Sequence, residues 1–381
     1  MLYYLSQWLL DAVSGTVWAD WLSPLRVFRY ITVRSAGAAI TALALSWWLG
    51  PKVIAWLKDL KFEQNYVDRA HEQGDLKTRL INKQGVPTMG GVLIVMVVDL
   101  TALLWAQWNA FVVLTLVSML VLGALGFWDD YLKITKKNAF GATASVKLVI
   151  QFSLALFIAL YLLRMPGTRE LVTKIMVPFL KNELMTSALI GVVITVFAIV
   201  GSSNAVNLTD GLDGLAIGCT LIVTMVFLVF TYIAGNAVIA KYLAVPHVVG
   251  AGELTVFCAA MVGAGLGFLW FNCHPAQVFM GDTGSLAIGG VLGIIAVLIH
   301  QPFVLVIAGG VFVMEAGSVL VQRGWFTYTR RKFGEGRRVF LMAPVHHHFE
   351  KLGWYESQIV TRFYILGLLF AVVALSTLKL R

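Results

Sequence analysis

The dominant feature of this chain is a series of apolar runs, each about as long as the hydrophobic thickness of a bilayer. A transmembrane helix needs about 20 consecutive, predominantly apolar residues. Because lipid offers the backbone no hydrogen bonds, a spanning segment must be a helix or part of a closed barrel. About ten runs of helical length are present, at residues 28–50, 87–106, 109–128, 146–165, 186–203, 212–234, 251–271, 282–299, 303–322 and 358–378. The sequence therefore predicts an all-α integral membrane protein with about ten transmembrane helices.

Composition supports this class and argues against a separate soluble domain. Hydrophobic residues make up 59% of the 381 residues and charged residues 13%, whereas soluble domains carry roughly 25% charged residues. We therefore expect residues 1–381 to form a single polytopic membrane domain. The aromatic, amphipathic segment 1–22 is expected to lie in the membrane interface. The 3 cysteines lack metal-ligand spacing, which predicts free thiols.

The distribution of positive charge predicts the orientation of the chain. The formal net charge is +9, but lysines and arginines flank the apolar runs. This pattern is typical of membrane topology and contact with anionic membrane lipid, and it does not indicate nucleic-acid binding. Most of these residues lie in the loops after the first, third and ninth runs. The odd-numbered loops are therefore predicted to be cytoplasmic and both termini periplasmic.

With this topology, the polar segments that interrupt the apolar pattern all fall on the cytoplasmic face. They are the pair Asp129-Asp130, the stretch Asn204–Asp213, the residues Asn272 and Asp282, and the run His346–His348. Dispersed polar residues rarely reach one face by chance, and carboxylates beside a span are costly unless they have a function. We therefore predict one polar, metal-dependent site in a cleft at the cytoplasmic membrane surface.

The segment between the fifth and sixth runs, GSSNAVNLTDGLDG, constrains the local geometry of this site. Its polar side chains recur at three-residue steps, at Asn204, Asn207, Asp210 and Asp213. Each step rotates by about −60° on an ideal helix, so the first and last side chains would face opposite sides. Convergence on one ligand requires a helix that is broken within Asn204–Asp213, which Gly211 and Gly214 permit. The asparagines could then surround a ribose or a base. The alternative is a polar turn that only joins two spans.

Three acids are the candidate metal ligands. Asp129 and Asp130 end the third run, and adjacent acids on a helix point about 100° apart, so one can bind a metal while the other acts as a base or orients a ligand. The alternative, a solvated helix end, is disfavoured by the helix dipole. Asp282 begins the eighth run, where an N-cap is the competing interpretation. Hard oxygen ligands without a Cys/His set indicate Mg²⁺ or Mn²⁺ and argue against zinc.

The remaining polar features permit weaker assignments. Three consecutive histidines, His346–His348, cannot all point at one ion from a regular element, so anion contact or proton transfer by one or two of them is expected, against a surface cluster without a role. The segment PTMGG at 87–91 is consistent with ligand contact or with close helix packing. Asp99 and Glu315 are intramembrane acids that we assign to no chemistry. We expect Asp99 to reach the outer surface and Glu315 to face a groove or pair with a hydroxyl.

Five motifs together resemble a known enzyme family. FWDDYLK, NAVNLTDGLDG, NCHPAQVFMGDTGS and APVHHHFE, with PTMGG upstream, resemble the phospho-N-acetylmuramoyl-pentapeptide transferases of the polyprenyl-phosphate N-acetylhexosamine-1-phosphate transferase superfamily. The resemblance covers nearly the whole chain, in order. The three histidines are similar to the muramoyl-pentapeptide branch and differ from the N-acetylglucosamine-phosphate enzymes. The basic run Thr329–Arg338 and Asp99 are less typical of the family.

The resemblance implies a specific reaction at the bacterial inner membrane. Phospho-MurNAc-pentapeptide would pass from UDP-MurNAc-pentapeptide to undecaprenyl phosphate, giving UMP and lipid I for peptidoglycan synthesis, with Mg²⁺ as the cofactor. A homodimer is expected for this family. Direct attack of the lipid phosphate, assisted by Asp129 as base, and a two-step route through a phospho-aspartate both remain open.

The resemblance also implies roles for individual residues. Asp282, Asp129 and Asp130 would be catalytic and handle the metal, and His346 would support catalysis. Phe279 would stack on uracil, and Lys133 would meet the diphosphate. The other residues implied for substrate binding are Lys83, Thr88, Asn204, Asn207, Asp210, Asp213, Asn272, His347 and His348.

Two alternatives remain at this stage. An N-acetylglucosamine-1-phosphate transferase of the same superfamily would use a different nucleotide sugar, and the histidine run argues against it. A secondary transporter is a different class, since broken helices and intramembrane acids also mark ion-coupled carriers. The acids gather at one face and not at the midplane, and no inverted repeat is visible, so the enzyme is the preferred hypothesis.

Overall fold

A computed structural model describes residues 1–15, 18–60, 85–135, 141–180 and 182–379. This part of the chain is built almost entirely of helices, with one short 3₁₀ segment at Ser23–Arg29. The α-helices are α1 Leu2–Ala12, α2 Trp18–Trp21, α3 Ile31–Asp59, α4 Gly91–Trp105, α5 Ala110–Thr135, α6 Ala144–Arg164, α7 Arg169–Thr173, α8 Ala188–Thr209, α9 Leu215–Gly235, α10 Ala237–Leu243, α11 Glu253–Asn272, α12 Gly281–Leu298, α13 Pro302–Ala308, α14 Gly310–Phe333, α15 Val345–Lys351 and α16 Glu356–Ser376. A two-residue pair of antiparallel strands, β1 Lys174–Ile175 and β2 Met185–Thr186, precedes α8.

The predicted all-α membrane class is confirmed. Within the described residues, 8 helices are long and apolar enough to cross a membrane, or up to 9 if the bent pair α13 and α14 counts as one span. Helix α4 is apolar but has only 15 residues. The chain is therefore a multi-pass membrane protein. Helices α9, α11 and α12 are the most buried of the spanning helices and form the centre of the bundle.

The second predicted span, 87–106, begins later than expected. Helix α4 starts at Gly91 because Met89 has a φ of 72°, outside the range of a right-handed helix, and the residues around it pair with another segment. Phe279 N donates to Pro87 O at 2.9 Å, and Gly90 N donates to Phe279 O at 2.8 Å. The PTMGG segment is therefore a backbone pairing element, which satisfies donors and acceptors that would otherwise be orphaned at a helix start.

The ninth predicted span, 303–322, is not a single straight helix. Helices α13 and α14 meet at Gly309 at an angle of 84°. Gly310 packs against the ring of Phe370, where a Cβ would lie 2.6 Å from ring carbons. Helix α14 then continues to Phe333, so it includes the first half of the basic run Thr329–Arg338.

The helix break predicted around Asn204–Asp213 is present, near its C-terminal end. Helix α8 continues without interruption through Asn204 and Asn207 to Thr209, so the fifth span extends past its predicted end at residue 203. The break lies at Asp210–Gly214, where Gly214 has a φ of 80°, a left-handed conformation that favours glycine. Asparagine has a low helix propensity, but the backbone hydrogen bonds of α8 are kept through Asn204 and Asn207, because an unpaired backbone amide in a membrane is costly.

The end of the bundle opposite the polar loops has its own anchor. Arg34 and Glu253 are buried and form two hydrogen bonds, of 2.5 and 2.7 Å. Near them, the amino group of Met1 donates to Leu103 O and to the neighbouring carbonyl at 2.9 Å, which fixes α1 against the end of α4.

Asp99 on α4 is buried, and neither of its oxygens has a hydrogen-bond partner among the described residues. The expectation that Asp99 reaches the outer surface is therefore wrong.

The cysteines are free thiols, as predicted. Cys219 and Cys258 are buried in the bundle, whereas Cys273 is exposed at the end of α11.

Candidate active site

The three predicted metal ligands meet at one end of the bundle. Asp129 and Asp130 lie near the C-terminus of α5, and Asp282 lies in the first turn of α12. Each offers a carboxylate oxygen within 4.8 Å of the others. Asp129 and Asp130 are buried, and Asp282 keeps 14% of its side-chain surface exposed. We call these residues the carboxylate cluster. Its convergence agrees with the sequence prediction that dispersed polar loops build a single site.

Two lysines neutralise much of the negative charge of the carboxylate cluster. Lys133, one turn after Asp129 on α5, places Nζ 2.7 Å from Asp129 Oδ2 and 3.1 Å from Asp282 Oδ2. Lys147 in the first turn of α6 places Nζ 3.0 Å and 2.9 Å from the same two oxygens. Opposite charges at such distances strongly stabilise each other away from bulk water. Sequence reasoning missed Lys147. Its only signal was a cation inside the start of an apolar run, where a topological role was the simpler interpretation.

Hydrogen bonds fix the orientation of each carboxylate. Asp129 Oδ1 accepts from Ala142 N at 2.8 Å. Asp130 Oδ2 accepts from both the backbone nitrogen and the hydroxyl of Thr283, each at 3.0 Å. Asp282 Oδ1 accepts from Asn207 Nδ2 at 2.8 Å. The three side chains are therefore held in place by neighbours before any ligand binds.

The N-cap interpretation of Asp282 does not describe its position. Helix α12 begins at Gly281, its N-cap residue is Met280, and it has no side-chain cap. Asp282 therefore lies inside the first turn, where its negative charge is favoured by the helix dipole. Gly281 has a φ of 71°, and a Cβ there would lie 2.6 Å from Asp130 Oδ2. This close approach requires glycine between the PTMGG segment and the carboxylate cluster.

The residues of the cluster fit a hard divalent cation. All three candidate ligands are carboxylates, the donor type that Mg²⁺ and Mn²⁺ prefer. Thr88 lies beside Gly281, with its Oγ1 3.0 Å from the position of a Gly281 Cβ. This hydroxyl is buried and has no hydrogen-bond partner among the described residues. A polar atom left unpaired at the edge of such a site is expected where a ligand supplies the missing partner.

A second polar group surrounds the broken segment Asp210–Gly214. Asp213 Oδ2 lies 3.1 Å from His274 Nδ1 and accepts from Ala276 N at 3.2 Å. Its backbone nitrogen donates to Glu356 Oε1 at 2.8 Å. Asp213, His274 and Glu356 also offer ligand atoms within 4.8 Å of one another. Since both carboxylates are already engaged, this group ties the turn to the start of α16.

Asn272 links the same turn to the loop that precedes α12. Its Oδ1 accepts from Gly214 N at 3.1 Å, and its Nδ2 donates to Val278 O at 2.8 Å. Phe279, next in the chain, is partly buried. Burial, together with the negative charges of Asp282 and Asp130, raises the pKa of Asp210 to about 8. Asp210, Asp213 and Asn272 therefore form a continuous polar surface beside the carboxylate cluster, which we call the polar wall.

The three histidines point to three different partners, as the sequence argument required. His346 Nδ1 lies 3.0 Å from Glu315 Oε2, and both side chains are fully buried. His347 Nδ1 lies 2.6 Å from Glu350 Oε2, and burial lowers the pKa of His347. His348 Nδ1 accepts from a backbone nitrogen at 3.2 Å. Glu315 therefore pairs with a histidine and not with a hydroxyl, a contact that sequence reasoning missed because 31 residues separate the two.

His346 also contacts the broken segment. A Cβ at Gly211 would overlap His346 Nε2, and this nitrogen has no hydrogen-bond partner among the described residues. The absence of a side chain at Gly211 thus lets the histidine pack directly against the turn.

The predicted site residue Asn204 does not contact the carboxylate cluster. Asn204 lies one turn away from Asn207 on α8, and its Nδ2 donates to Gln151 Oε1 and to Val200 O, each at 2.8 Å. Lys83 lies outside the described residues.

Comparisons with known proteins match these motifs to a family. Residues 112–300 match glycosyl transferase family 4, and residues 83–95, which include Lys83 and Thr88, match phospho-N-acetylmuramoyl-pentapeptide-transferase signature 1. The chain is 47% identical to the phospho-N-acetylmuramoyl-pentapeptide-transferase of Methylacidiphilum infernorum, over 100% of both chains. It is 48% identical to the enzyme of that name from Opitutus terrae, over 95% of this chain and 98% of the relative. It is also 48% identical to the enzyme of that name from Syntrophus aciditrophicus, over 94% of this chain and 96% of the relative.

Proposed function

Because this chain belongs to the phospho-N-acetylmuramoyl-pentapeptide transferase family, we propose that it transfers phospho-MurNAc-pentapeptide from UDP-MurNAc-pentapeptide to undecaprenyl phosphate. The products are lipid I and UMP, and the reaction belongs to peptidoglycan synthesis. The observation that carries this proposal is the carboxylate cluster with its two lysines, gathered at the ends of membrane helices. A water-soluble nucleotide and a lipid phosphate can meet only at such a boundary.

The chemistry is a displacement at phosphorus. A phosphate oxygen of undecaprenyl phosphate attacks the β-phosphorus of the nucleotide sugar and forms a new P–O–P bridge. The bond between the β-phosphorus and the bridging oxygen of the old diphosphate breaks, and UMP leaves with that oxygen and its electron pair. Such reactions depend on positioning and on electrostatic stabilisation of anionic oxygens.

The lysines of the site supply part of that stabilisation. Lys133 and Lys147 both place an ammonium group between Asp129 and Asp282, and each has three N–H donors, so it can keep these contacts and also donate to a phosphate oxygen of the substrate. Mg²⁺, held by Asp282 with Asp129 and Asp130, would neutralise the diphosphate and polarise its phosphorus.

We favour direct attack over a phospho-aspartate. Asp129 is the candidate nucleophile of the two-step route, yet one of its oxygens accepts from Ala142 N and the other faces two ammonium groups. Its electron pairs are thereby engaged, which lowers its nucleophilicity. Its role in the direct route is to hold the cations, and the dianionic lipid phosphate attacks without losing a proton.

We assign the polar wall and the residues around it to substrate binding. Phe279 stacks on uracil, and Asn207, Asp210, Asp213 and Asn272 lie at the nucleoside end of the cleft. Thr88 lines the same cleft, and Lys83 is assigned to substrate binding from the family resemblance alone. Of the histidines, His346 supports catalysis, and His347 and His348 contact the substrate. Support comes from the convergence of the Asp210–Gly214 turn, Asn272 and His346 beside the carboxylate cluster.

The topology completes the proposal. We place the cleft at the cytoplasmic face of the bacterial inner membrane, with ten spans, both termini periplasmic and a homodimer as the assembly. The basic loops predict this orientation, and the separation of the carboxylate cluster from the Arg34–Glu253 end of the bundle supports it.

An assay with purified protein tests the reaction and its donor. With undecaprenyl phosphate and Mg²⁺, we expect UMP release and a lipid-linked product from UDP-MurNAc-pentapeptide, and far less from UDP-GlcNAc. Release of UMP only with UDP-GlcNAc would favour the N-acetylglucosamine branch. The absence of UMP with both donors would overturn the proposal.

A further inference from the structure

A buried polar network joins three helices one turn away from the carboxylate cluster. Gln151 Nε2 on α6 donates to Ser203 Oγ on α8 at 3.0 Å, and Gln151 Oε1 accepts from Asn204 Nδ2 at 2.8 Å. Ser203 Oγ donates onward to Leu286 O on α12 at 2.9 Å. Gln151 and Ser203 are fully buried. We call these contacts the Gln151 clamp.

Each member of the clamp lies one helical turn from a residue of the site. Gln151 follows Lys147 by four residues, and Leu286 follows Asp282 by four. Ser203 precedes Asn207 by four. Side chains four apart lie on the same helix face. The clamp therefore joins the same three helices that, one turn further, carry Lys147, Asn207 and Asp282.

The helices differ in how strongly they are held without the clamp. Helix α12 packs closely on α8, since a Cβ at Gly293 would lie 2.5 Å from both Ala198 O and Ser202 Oγ. Helix α6 is less enclosed and exposes much of its surface, with Val149 63% and Phe157 56% exposed. Apolar packing against lipid gives α6 little preference for one rotation, because lipid tails are as apolar as its side chains. The directional hydrogen bonds of Gln151 supply that preference.

We propose that Gln151 is a positioning residue that acts through Lys147. The clamp fixes the rotation and depth of α6, and thereby holds Lys147 Nζ near Asp129 Oδ2 and Asp282 Oδ2. This inference rests on the proposed function for its catalytic consequence. The positional claim, that Gln151 determines whether the Lys147 ammonium group lies against the carboxylate cluster, depends only on the contacts described above and not on the reaction.

The test is the variant Gln151→Leu, which keeps the size of the side chain and removes its hydrogen bonds. In full-length protein, we expect kcat to fall about 10- to 100-fold, the usual loss when a residue that orients an active-site side chain by hydrogen bonding is removed. The KM for UDP-MurNAc-pentapeptide should stay within about twofold of wild type, because the nucleoside end is built by other loops. The affinity for Mn²⁺, measured by electron paramagnetic resonance without substrate, should change because Lys147 competes with a cation for the same carboxylates.

Two further variants separate positioning from general stability. Ser203→Ala removes one hydroxyl from the clamp with little risk to folding, and it should change kcat and Mn²⁺ affinity in the same direction. Thr255→Val removes a comparable buried contact, the hydrogen bond from Thr255 Oγ1 to Thr231 Oγ1 of 3.1 Å, at the opposite end of the bundle. It should lower the melting temperature and leave kcat and Mn²⁺ affinity unchanged.

The outcomes are distinct from a failure of the proposed function. Wild-type protein that transfers no phosphosugar would overturn the function, and the Mn²⁺ measurement would still test the clamp. Wild-type kcat and Mn²⁺ affinity in Ser203→Ala and in folded Gln151→Leu would overturn the clamp. Equal losses of kcat in Thr255→Val and Gln151→Leu would also overturn it, since they would reflect stability alone.

Discussion

Asp282→Asn should abolish turnover, with kcat about a thousandfold or more below that of the wild type. Asp282 Oδ2 lies 3.1 Å from Lys133 Nζ and 2.9 Å from Lys147 Nζ, and its Oδ1 accepts from Asn207. The amide keeps the size of the side chain but removes the charge that balances two ammonium groups. It also removes one of the three carboxylates available to a divalent cation. UMP release in detergent or in nanodiscs measures the effect.

Asp99→Asn is the matched control for this change. Asp99 is also a buried carboxyl group on a membrane helix, but it lies on α4 away from the cluster, and its oxygens have no hydrogen-bond partner among the described residues. Neutralising it should leave kcat near wild type and should not lower the melting temperature, since an unpaired buried carboxylate is costly. Near-wild-type activity of Asp282→Asn in correctly inserted protein would remove Asp282 from the reaction.

Lys147→Met should lower kcat by about 100-fold, comparable to the loss of one preorganised donor in other active sites. Methionine preserves the length and the apolar stem of the side chain while removing the ammonium group that faces Asp129 and Asp282. Without Lys147, Lys133 and the proposed divalent cation would only balance the three carboxylates, so no net positive charge would remain for the anionic phosphates of the substrate. Steady-state rates of UMP release at saturating donor measure this loss.

Lys241→Met provides the comparison on the opposite side of the bundle. Lys241 is an exposed lysine of α10, outside the site, and its removal should leave kcat unchanged. If Lys147→Met turned over as fast as the wild type, the lysine would be a topological charge, which is how its sequence position alone would be interpreted.

The convergence of the site was predictable because membrane topology restricts where loops can go. Apolar run lengths and the positions of lysines and arginines assigned each polar segment to one face, and Asp129, Asp130 and Asp282 do meet at one end of the bundle. A soluble chain with the same motifs would offer no such argument. The identities of the oxygen ligands also favoured a hard cation over zinc before any geometry was known.

The contacts between helices were not predictable from periodicity. Lys147, Gln151 and Glu315 all lie in apolar runs, where a single polar residue gives no signal of its partner until the packing of the helices is known. The bend of 84° at Gly309 was not predictable, because a glycine pair is common in membrane helices. Only the packing of Gly310 against the ring of Phe370 shows why glycine is needed there. The fifth span was predicted to end at residue 203 and continues to Thr209, since the spacing of polar residues does not show at which residue the backbone hydrogen bonds of a helix end.

We propose that the carboxylate cluster binds the divalent cation used in phosphosugar transfer. Anomalous scattering from crystals of the wild-type protein grown with Mn²⁺ tests it most directly, because Mn²⁺ replaces Mg²⁺ at oxygen sites and its position can be located independently of the protein atoms. We predict one strong peak among the carboxylate oxygens of Asp129, Asp130 and Asp282, and its loss in crystals of Asp282→Asn. A peak at Asp213, His274 and Glu356, with none at the carboxylate cluster, would rule out the proposed metal site.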